Sequence, residues 1–463
     1  SCPMLFSSIP FLYTFLPCVL ILYFLVPGWL KNTVLLLSSL FFYAWGEPRF
    51  VVFMVIAIVQ GYVFGLLAEK FRDRPKRAKL CLWASAVVSL GLLGYCKYAD
   101  FFISGFNTLT GLSLPLLHVA LPIGISFYTF QNMSYLIDVY RGDTQAQRNL
   151  ASYATYLCLF PQLIAGPIVR YSDVERELRE RQLTLDGVGN GTLRFAVGLG
   201  KKVLLANTLG QLAELTPDQG SVLFSWLRAV AYTLQIYFDF SGYSDMAIGM
   251  GQMLGFRFLE NFDYPYLSRS VTEFWRRWHM SLGSWFRDYV YIPLGGSRTT
   301  KGKWLRNVLV VWMLTGIWHG ANWNFLLWGL YYGILLLIEK LWLGKHLKHP
   351  ALSHLYVLVA TVFGFVLFHS TDAGEAVREI GRMLGLGGLP AWNSMALYYL
   401  ESYGVLLLLA VVGATPWPKK LAARIGQTRV AVVLQPLLVL TLLVLVTACL
   451  VDGSFNPFLY FRF

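Results

Sequence analysis

WLRNVLVVWMLTGIWHGANWNFLLWGLYYGILLLIEKLWL, residues 304–343, holds two long apolar stretches, Trp304–Trp318 and Ala321–Leu343, joined at Trp318-His319-Gly320. A membrane-spanning helix needs about 20 apolar residues, fewer where it is short or re-entrant. The polar, basic region 257–303 precedes the first stretch, and KLWLGKHLKHP (340–350) closes the second. Lys/Arg bias puts both outer ends on the cytoplasmic side. The two stretches therefore read as a hairpin with His319 at its tip, near the bilayer midplane. A single crossing with a break would keep His319 at membrane depth but leave the later loops against the charge bias. An ionisable group at that depth is costly, so it marks a functional site by default. The plainer reading is a helix-packing histidine with both ring nitrogens satisfied.

The rest of the 463-residue chain favours the membrane. It is 56% hydrophobic and only 14% charged, with mean hydropathy +0.54, against about 25% charged in soluble domains. No polar linker divides the apolar stretches, so residues 1–463 read as a single membrane domain. Candidate spans are 9–26, 33–45, 50–68, 80–96, 112–137, 151–169, 192–213, 222–254, 304–318, 321–343, 352–369, 396–414 and 430–451. The 33–45 segment is short, Pro161 and Gly166-Pro167 interrupt 151–169, and Lys201-Lys202 sit inside 192–213. Broken helices are tolerated at membrane depth where protein or a water-filled cavity covers them. The first apolar segment lacks a basic flank and an Ala-x-Ala site and reads as a retained helix. Six scattered cysteines, mostly in apolar runs, read as buried thiols and suggest neither a disulfide framework nor a metal cluster. The net charge of +13 signifies basic cytoplasmic loops first and an anionic ligand second.

Two further stretches carry polar groups where apolar ones are expected. EFWRRWHMSLGSWFRDYVYIP (273–293) is amphipathic, with Trp275, Trp278, Leu282, Trp285 and Tyr289 at helical spacing. It reads as a cytoplasmic interfacial helix, either a surface anchor or a lid within 257–303. Arg276 and Arg277 lie off the Trp face, where they meet phosphates or headgroups. His279 lies with the Trp face and points toward protein or lipid. In YFDFSGYSD (237–245), Asp239, Ser241, Tyr243 and Asp245 interrupt an apolar run. The carboxylates either bind Arg, backbone or water and hold a broken helix, or one of them orients a catalytic imidazole. No HExxH, GxxxxGK[ST], GxSxG or strand-linked GxGxxG occurs, which disfavours hydride transfer and ATP-driven transport. A histidine base acting on a bound ester or thioester is left.

Together, YFDFSGYSDMAIGMGQMLGFRFLENFDYPY (237–266), SVTEFWRRWHMSLGSWFRDYVYIPLGG (270–296) and WHGANWNFLLWG (318–329) resemble the membrane-bound O-acyltransferases. The likeness is greatest to the bacterial branch of alginate O-acetylation. LFSSIPFLYTFLP (5–17), FFYAWGEPRF (41–50), LPIGISFYTFQNMSYLIDVYRG (121–142), FPQLIAGPIVRYSD (160–173) and FNPFLYFRF (455–463) match as well. The resemblance implies a horseshoe of about 11 transmembrane helices, with re-entrant and interfacial helices, around a central funnel. It implies a catalytic His at His319 and a second motif His at His279. It also implies acetyl transfer across a bacterial inner membrane from a cytoplasmic donor, acetyl-CoA or another acyl thioester, with no bound cofactor or metal. Trp318, Asn322 and Asp239 would orient the imidazole or the thioester carbonyl. External loops are short, so an extracytoplasmic acyltransferase or polysaccharide-modifying partner is expected, docking near 370–394. Rival readings are peptidoglycan O-acetylation, D-alanyl transfer, a non-catalytic acyl transporter and a recruiting scaffold.

The charge bias generates a topology test. Cysteines placed in 69–79, which has six basic and two acidic residues, and in 340–350 should both resist an impermeant thiol reagent added to intact cells. External labelling of 340–350 would break the hairpin.

Overall fold

Apolar side chains line the outside of several helices. On Ala431–Asp452 and Ser394–Gly413, Val432 is 77% exposed and Val405 73% exposed. Water penalises apolar faces of that extent and lipid does not. The computed structural model describes residues 4–216, 220–453 and 455–459. Regular structure among them is helical, apart from one isolated antiparallel bridge between Phe262 and Trp278. Among the described residues, six helical stretches are long and apolar enough to cross a membrane: Arg49–Lys70, Pro75–Thr110, Trp323–His346, Pro350–His369, Ser394–Gly413 and Ala431–Asp452. The protein is all-α and multi-spanning.

Contacts group into two units. One comprises the residues up to Phe195 together with Met246–Leu259. Its core is aromatic. Phe11 and Phe15 pack on Phe42 and Phe160, and Tyr135 packs against Tyr153 and, edge-on, Tyr171. Gln60, buried, is satisfied in place: it accepts from Ser85 Oγ at 2.6 Å and donates to Ser89 Oγ at 2.9 Å. Cys81, Cys96 and Cys158 are buried, as expected, whereas Cys18 and the distant Cys449 face outward.

Sequence and structure diverge here at two places and agree at a third. The span expected at 112–137 is helical only over Ile125–Arg141. Pro115 and Pro122 withhold amide donors, and Gly124 turns the chain at φ +73°. Asp100 ties the non-helical part down by accepting from Leu117 N at 2.7 Å and His118 N at 3.0 Å. The 80–96 segment belongs to a longer helical run, Pro75–Thr110, which passes through a π-turn at Gly94–Tyr98. The 151–169 segment does break: Leu150–Cys158 ends before the short turn Phe160–Leu163, where Pro161 occupies the first turn.

The second unit comprises Ala196–Asp245 and the residues from Glu260 onward. The polar island 237–245 does not break its helix, because Val222–Leu254 is continuous for 33 residues. Gly242 instead lets backbones meet: a Cβ there would lie 2.7 Å from Gly198 O. The Lys201–Ala206 segment opposite is a π-turn. It aims Lys202 Nζ at Asp239 Oδ1 at 2.7 Å, and both side chains are fully buried. Lys202 also donates to Asn207 Oδ1 at 2.7 Å and to the Pro457 carbonyl, while Asp239 accepts from Leu459 N at 3.2 Å. Asp239 thus holds the 455–459 segment against the long helix.

The 370–394 segment is more ordered than its glycines suggest. Asp372 caps the helix Ala373–Met383, whose Met383 packs against Ala229, Val362 and Val366. Hydrogen bonds from Thr371 hold the Glu375 carboxyl below its ordinary range. Pro390 O and Ala391 O accept from Val222 N and Leu223 N. Leu386 and Trp392 stand outward, 79% and 63% exposed.

Lys202→Met leaves a buried carboxylate without its cation, and unfolding should become easier by about 3–5 kcal/mol. Adding Asp239→Leu should recover most of that loss. Thermal midpoints in detergent read both; a double variant no better than the single would contradict the pairing.

Candidate active site

The His319 site is assembled by a hairpin whose backbones touch. Lys301–His319 and Trp323–Ile338 pack antiparallel. A Cβ on Gly316 would meet Phe325 O at 2.3 Å, and one on Gly329 would meet Trp312 O at 2.2 Å. The hairpin expected around His319 is therefore present, with its turn at 320–322. Asn322 caps the second helix by accepting from Trp323 N at 2.7 Å, and donates to Thr371 O at 2.7 Å. Asn324 Nδ2 donates to Ser370 O at 2.8 Å and Leu367 O at 3.2 Å. These bonds lock the turn to the end of the helix Pro350–His369.

His319 is the last residue of the first hairpin helix and is 2% exposed. Its Nδ1 lies 2.6 Å from Thr315 O. A carbonyl only accepts, so Nδ1 carries the proton and, in the neutral ring, Nε2 carries the lone pair. Aromatic rings wall the imidazole: Trp318 and Trp328 at 4.9 Å between centroids, and Phe368 at 5.5 Å. His279 stands 6.1 Å away, ring to ring, and is also 2% exposed.

His279 does not sit on a continuous interfacial helix. The expected 273–293 helix splits into Val271–Arg277 and Met280–Phe286, followed by a π-turn at Arg287–Tyr291. His279 lies in the break at φ +46°, a left-handed conformation that costs a non-glycine residue roughly 1–2 kcal/mol. The break swings the imidazole against Phe240 at 4.6 Å and Trp318 at 5.7 Å. Trp278, Leu282, Trp285 and Tyr289 are buried, so the apolar face read from sequence is real although the helix is not continuous.

Two residues that the sequence did not single out hold this break. Asn261, fully buried, accepts from Ser281 N at 3.1 Å and Ser281 Oγ at 2.9 Å, while its own carbonyl accepts from Met280 N at 3.0 Å. Its Nδ2 donates to Ser244 Oγ at 3.3 Å. Glu339 fixes the start of the segment. Its carboxylate accepts from Val271 N at 2.6 Å, Thr272 N at 3.1 Å, Thr272 Oγ1 at 2.8 Å and Tyr356 Oη at 2.8 Å. Four donors offset the burial of that charge.

The other sequence candidates divide. Trp318 is at the site. Asp239 faces Lys202 rather than an imidazole. Ser241 and Asp245 both receive Lys201 Nζ, at 3.3 Å and 2.7 Å. Tyr243 packs on Phe458 at 4.4 Å. Asn322 spends its amide on the hairpin turn. Arg276 is exposed, and Arg277 pairs with Glu273 at 3.3 Å and lies 3.7 Å from Asp263.

A deeply buried, tautomer-fixed histidine beside a second one suits general-base work on a hydroxyl. Comparison with known proteins identifies the family. The profile of the MBOAT, membrane-bound O-acyltransferase, family covers residues 145–369, which include both histidines. The probable alginate O-acetylase AlgI of Pseudomonas syringae pv. tomato is 45% identical over 83% of this chain and 76% of its own length. The same protein of Pseudomonas putida is 41% identical over 99% of this chain and 100% of its own. A peptidoglycan O-acetyltransferase of Helicobacter pylori is 32% identical over 83% and 81%. The chain belongs to the membrane-bound O-acyltransferase family. It is a multi-pass enzyme of the bacterial inner membrane.

Asn261→Ala removes three side-chain hydrogen bonds at the break but no apolar packing. Acyl transfer should fall by roughly 10- to 100-fold through misplacement of His279. Ser281→Ala, which keeps the Ser281 N bond, should lose less. Unchanged turnover in Asn261→Ala would separate the break from catalysis.

Proposed function

We propose that this chain transfers an acetyl group from a cytoplasmic thioester, acetyl-CoA or a related donor, to a hydroxyl for O-acetylation of a bacterial exopolysaccharide such as alginate. The observation that carries the reading is the buried His319 whose Nδ1–H is committed to Thr315 O. Nε2 takes the proton of the acceptor hydroxyl as its oxygen attacks the thioester carbonyl carbon. The C–O bond forms, the C–S bond breaks, and the proton passes to the departing sulfur. The products are an ester and a free thiol. His279 lines the approach to His319, and Arg276 and Arg277 attract the donor's phosphates. No cofactor or metal enters the step.

The finer family architecture belongs to this proposal: about 11 transmembrane helices in a horseshoe around a funnel, with 257–303 as its cytoplasmic lid. So does an extracytoplasmic acyltransferase that docks on the 370–394 side and receives or relays the acetyl group. The exposed Leu386 and Trp392 support that surface. Greater identity to the alginate O-acetylases, 41–45% against 32% for the peptidoglycan enzyme, favours an exopolysaccharide acceptor.

In proteoliposomes with labelled acetyl donor, acceptor and partner, His319→Ala should lower transfer by about 10²–10⁴ while the protein stays inserted. His319→Gln should fail equally, because an amide does not take up a proton near neutral pH. Near-normal transfer by inserted His319→Ala protein would overturn the assignment.

A further inference from the structure

One ring in the His319 wall carries a polar atom that the packing leaves over. Trp328 is 1% exposed. Its Nε1–H is fully buried and meets no hydrogen-bond acceptor among the described residues. Buried donors are nearly always satisfied, so an exception calls for an explanation. Asn324, one turn earlier on the same helix face, shows the same condition at Oδ1, although its Nδ2 is well bonded, and so do Trp275 Nε1 and Tyr332 Oη beside the indole. Around the indole stand His319 at 4.9 Å, Tyr332 at 5.3 Å, Phe368 at 5.4 Å and Trp275 at 5.4 Å.

The indole has little freedom to find an acceptor elsewhere. Gly329, its chain neighbour, is the point where the hairpin backbones touch. Trp275 stands against it edge-on at 89°. A rigid N–H donor in a dry aromatic wall, one ring from the base, matches what a carbonyl oxygen needs as it gains negative charge. Such preorganised donors act most strongly where water is excluded.

We propose that Trp328 is a catalytic residue whose Nε1–H donates to the carbonyl oxygen of the acyl thioester, most strongly when that oxygen becomes an oxyanion. The inference rests on the acyl-transfer reading above. The indole N–H keeps its proton throughout; His319 moves the proton of the reaction. Trp328 contributes a dipole where charge develops, and its bulk closes the acyl side of the site.

The test is an isostere. Trp328→3-benzothienylalanine, introduced by orthogonal translation into the full-length protein, exchanges N–H for sulfur and keeps the bicyclic shape. Acetyl transfer in proteoliposomes should show kcat lower by about 10²–10³, with donor KM within about threefold and an unchanged thermal midpoint. Trp328→Phe should lose kcat similarly and also stability, through the cavity it leaves. Wild-type kcat in the isostere would overturn the proposal and leave the ring a packing element. A raised KM with kcat unchanged would also overturn it, since that pattern is ground-state binding. His319→Ala, assayed in parallel, keeps the two claims apart. If it is inactive while the isostere is fully active, only the role of Trp328 fails. If it is active, the base assignment fails whatever the isostere does.

Discussion

The hydrogen bond from His319 Nδ1 to the Thr315 carbonyl, 2.6 Å long and buried, is the interaction on which the rest of the site depends. It fixes the tautomer, aims Nε2 away from its own helix, and closes the last turn of the first hairpin helix. The helix stops directly after His319, at Gly320, where a Cβ would collide with the Phe325 ring at 2.2 Å. The hairpin in turn needs Gly316 and Gly329, whose missing side chains let two backbones touch. A larger residue at either position would push His319 out of register with Trp328 and Phe368.

Three buried carboxylates elsewhere among the described residues are each met by partners. Asp239 has Lys202, Asp245 has Lys201, and Glu339 has four neutral donors. These are structural solutions to a dry interior, in which a lone charge is expensive. Against that background the two histidines differ in kind. They lie side by side among aromatic rings, and one of them is held in a left-handed backbone conformation. Strain of that sort persists only where surrounding contacts enforce it, and Asn261 and Glu339 supply those contacts.

Much of this was legible in the sequence because it is local. The apolar stretches flanking Trp318-His319-Gly320 dictate a hairpin, and Pro161 dictates a break. Other features were hidden for physical reasons. The period of Trp275, Trp278, Leu282, Trp285 and Tyr289 runs unbroken through His279, with no glycine or proline to announce the turn. What makes the turn is Asn261, a partner twenty residues from Ser281, and such pairings leave no periodic trace. Asp239 stayed open between a structural and an orienting role because Lys202 lies far off in sequence. Glu339 was submerged in the second apolar stretch. The opposite error occurred at 112–124, where apolar content outweighed Pro115 and Pro122. The sidedness of the chain is read from loop charges alone and rests on the positive-inside rule.

The proposed chemistry is both bond-breaking and vectorial. Proteoliposomes oriented with the 340–350 loop outward, given thioester donor outside and partner with acceptor sealed inside, provide the direct measurement. Free thiol outside and acetyl ester inside should appear in equal amounts, and neither should form without the enclosed acceptor. Intact thioester accumulating in the lumen, or free thiol released there, would contradict it.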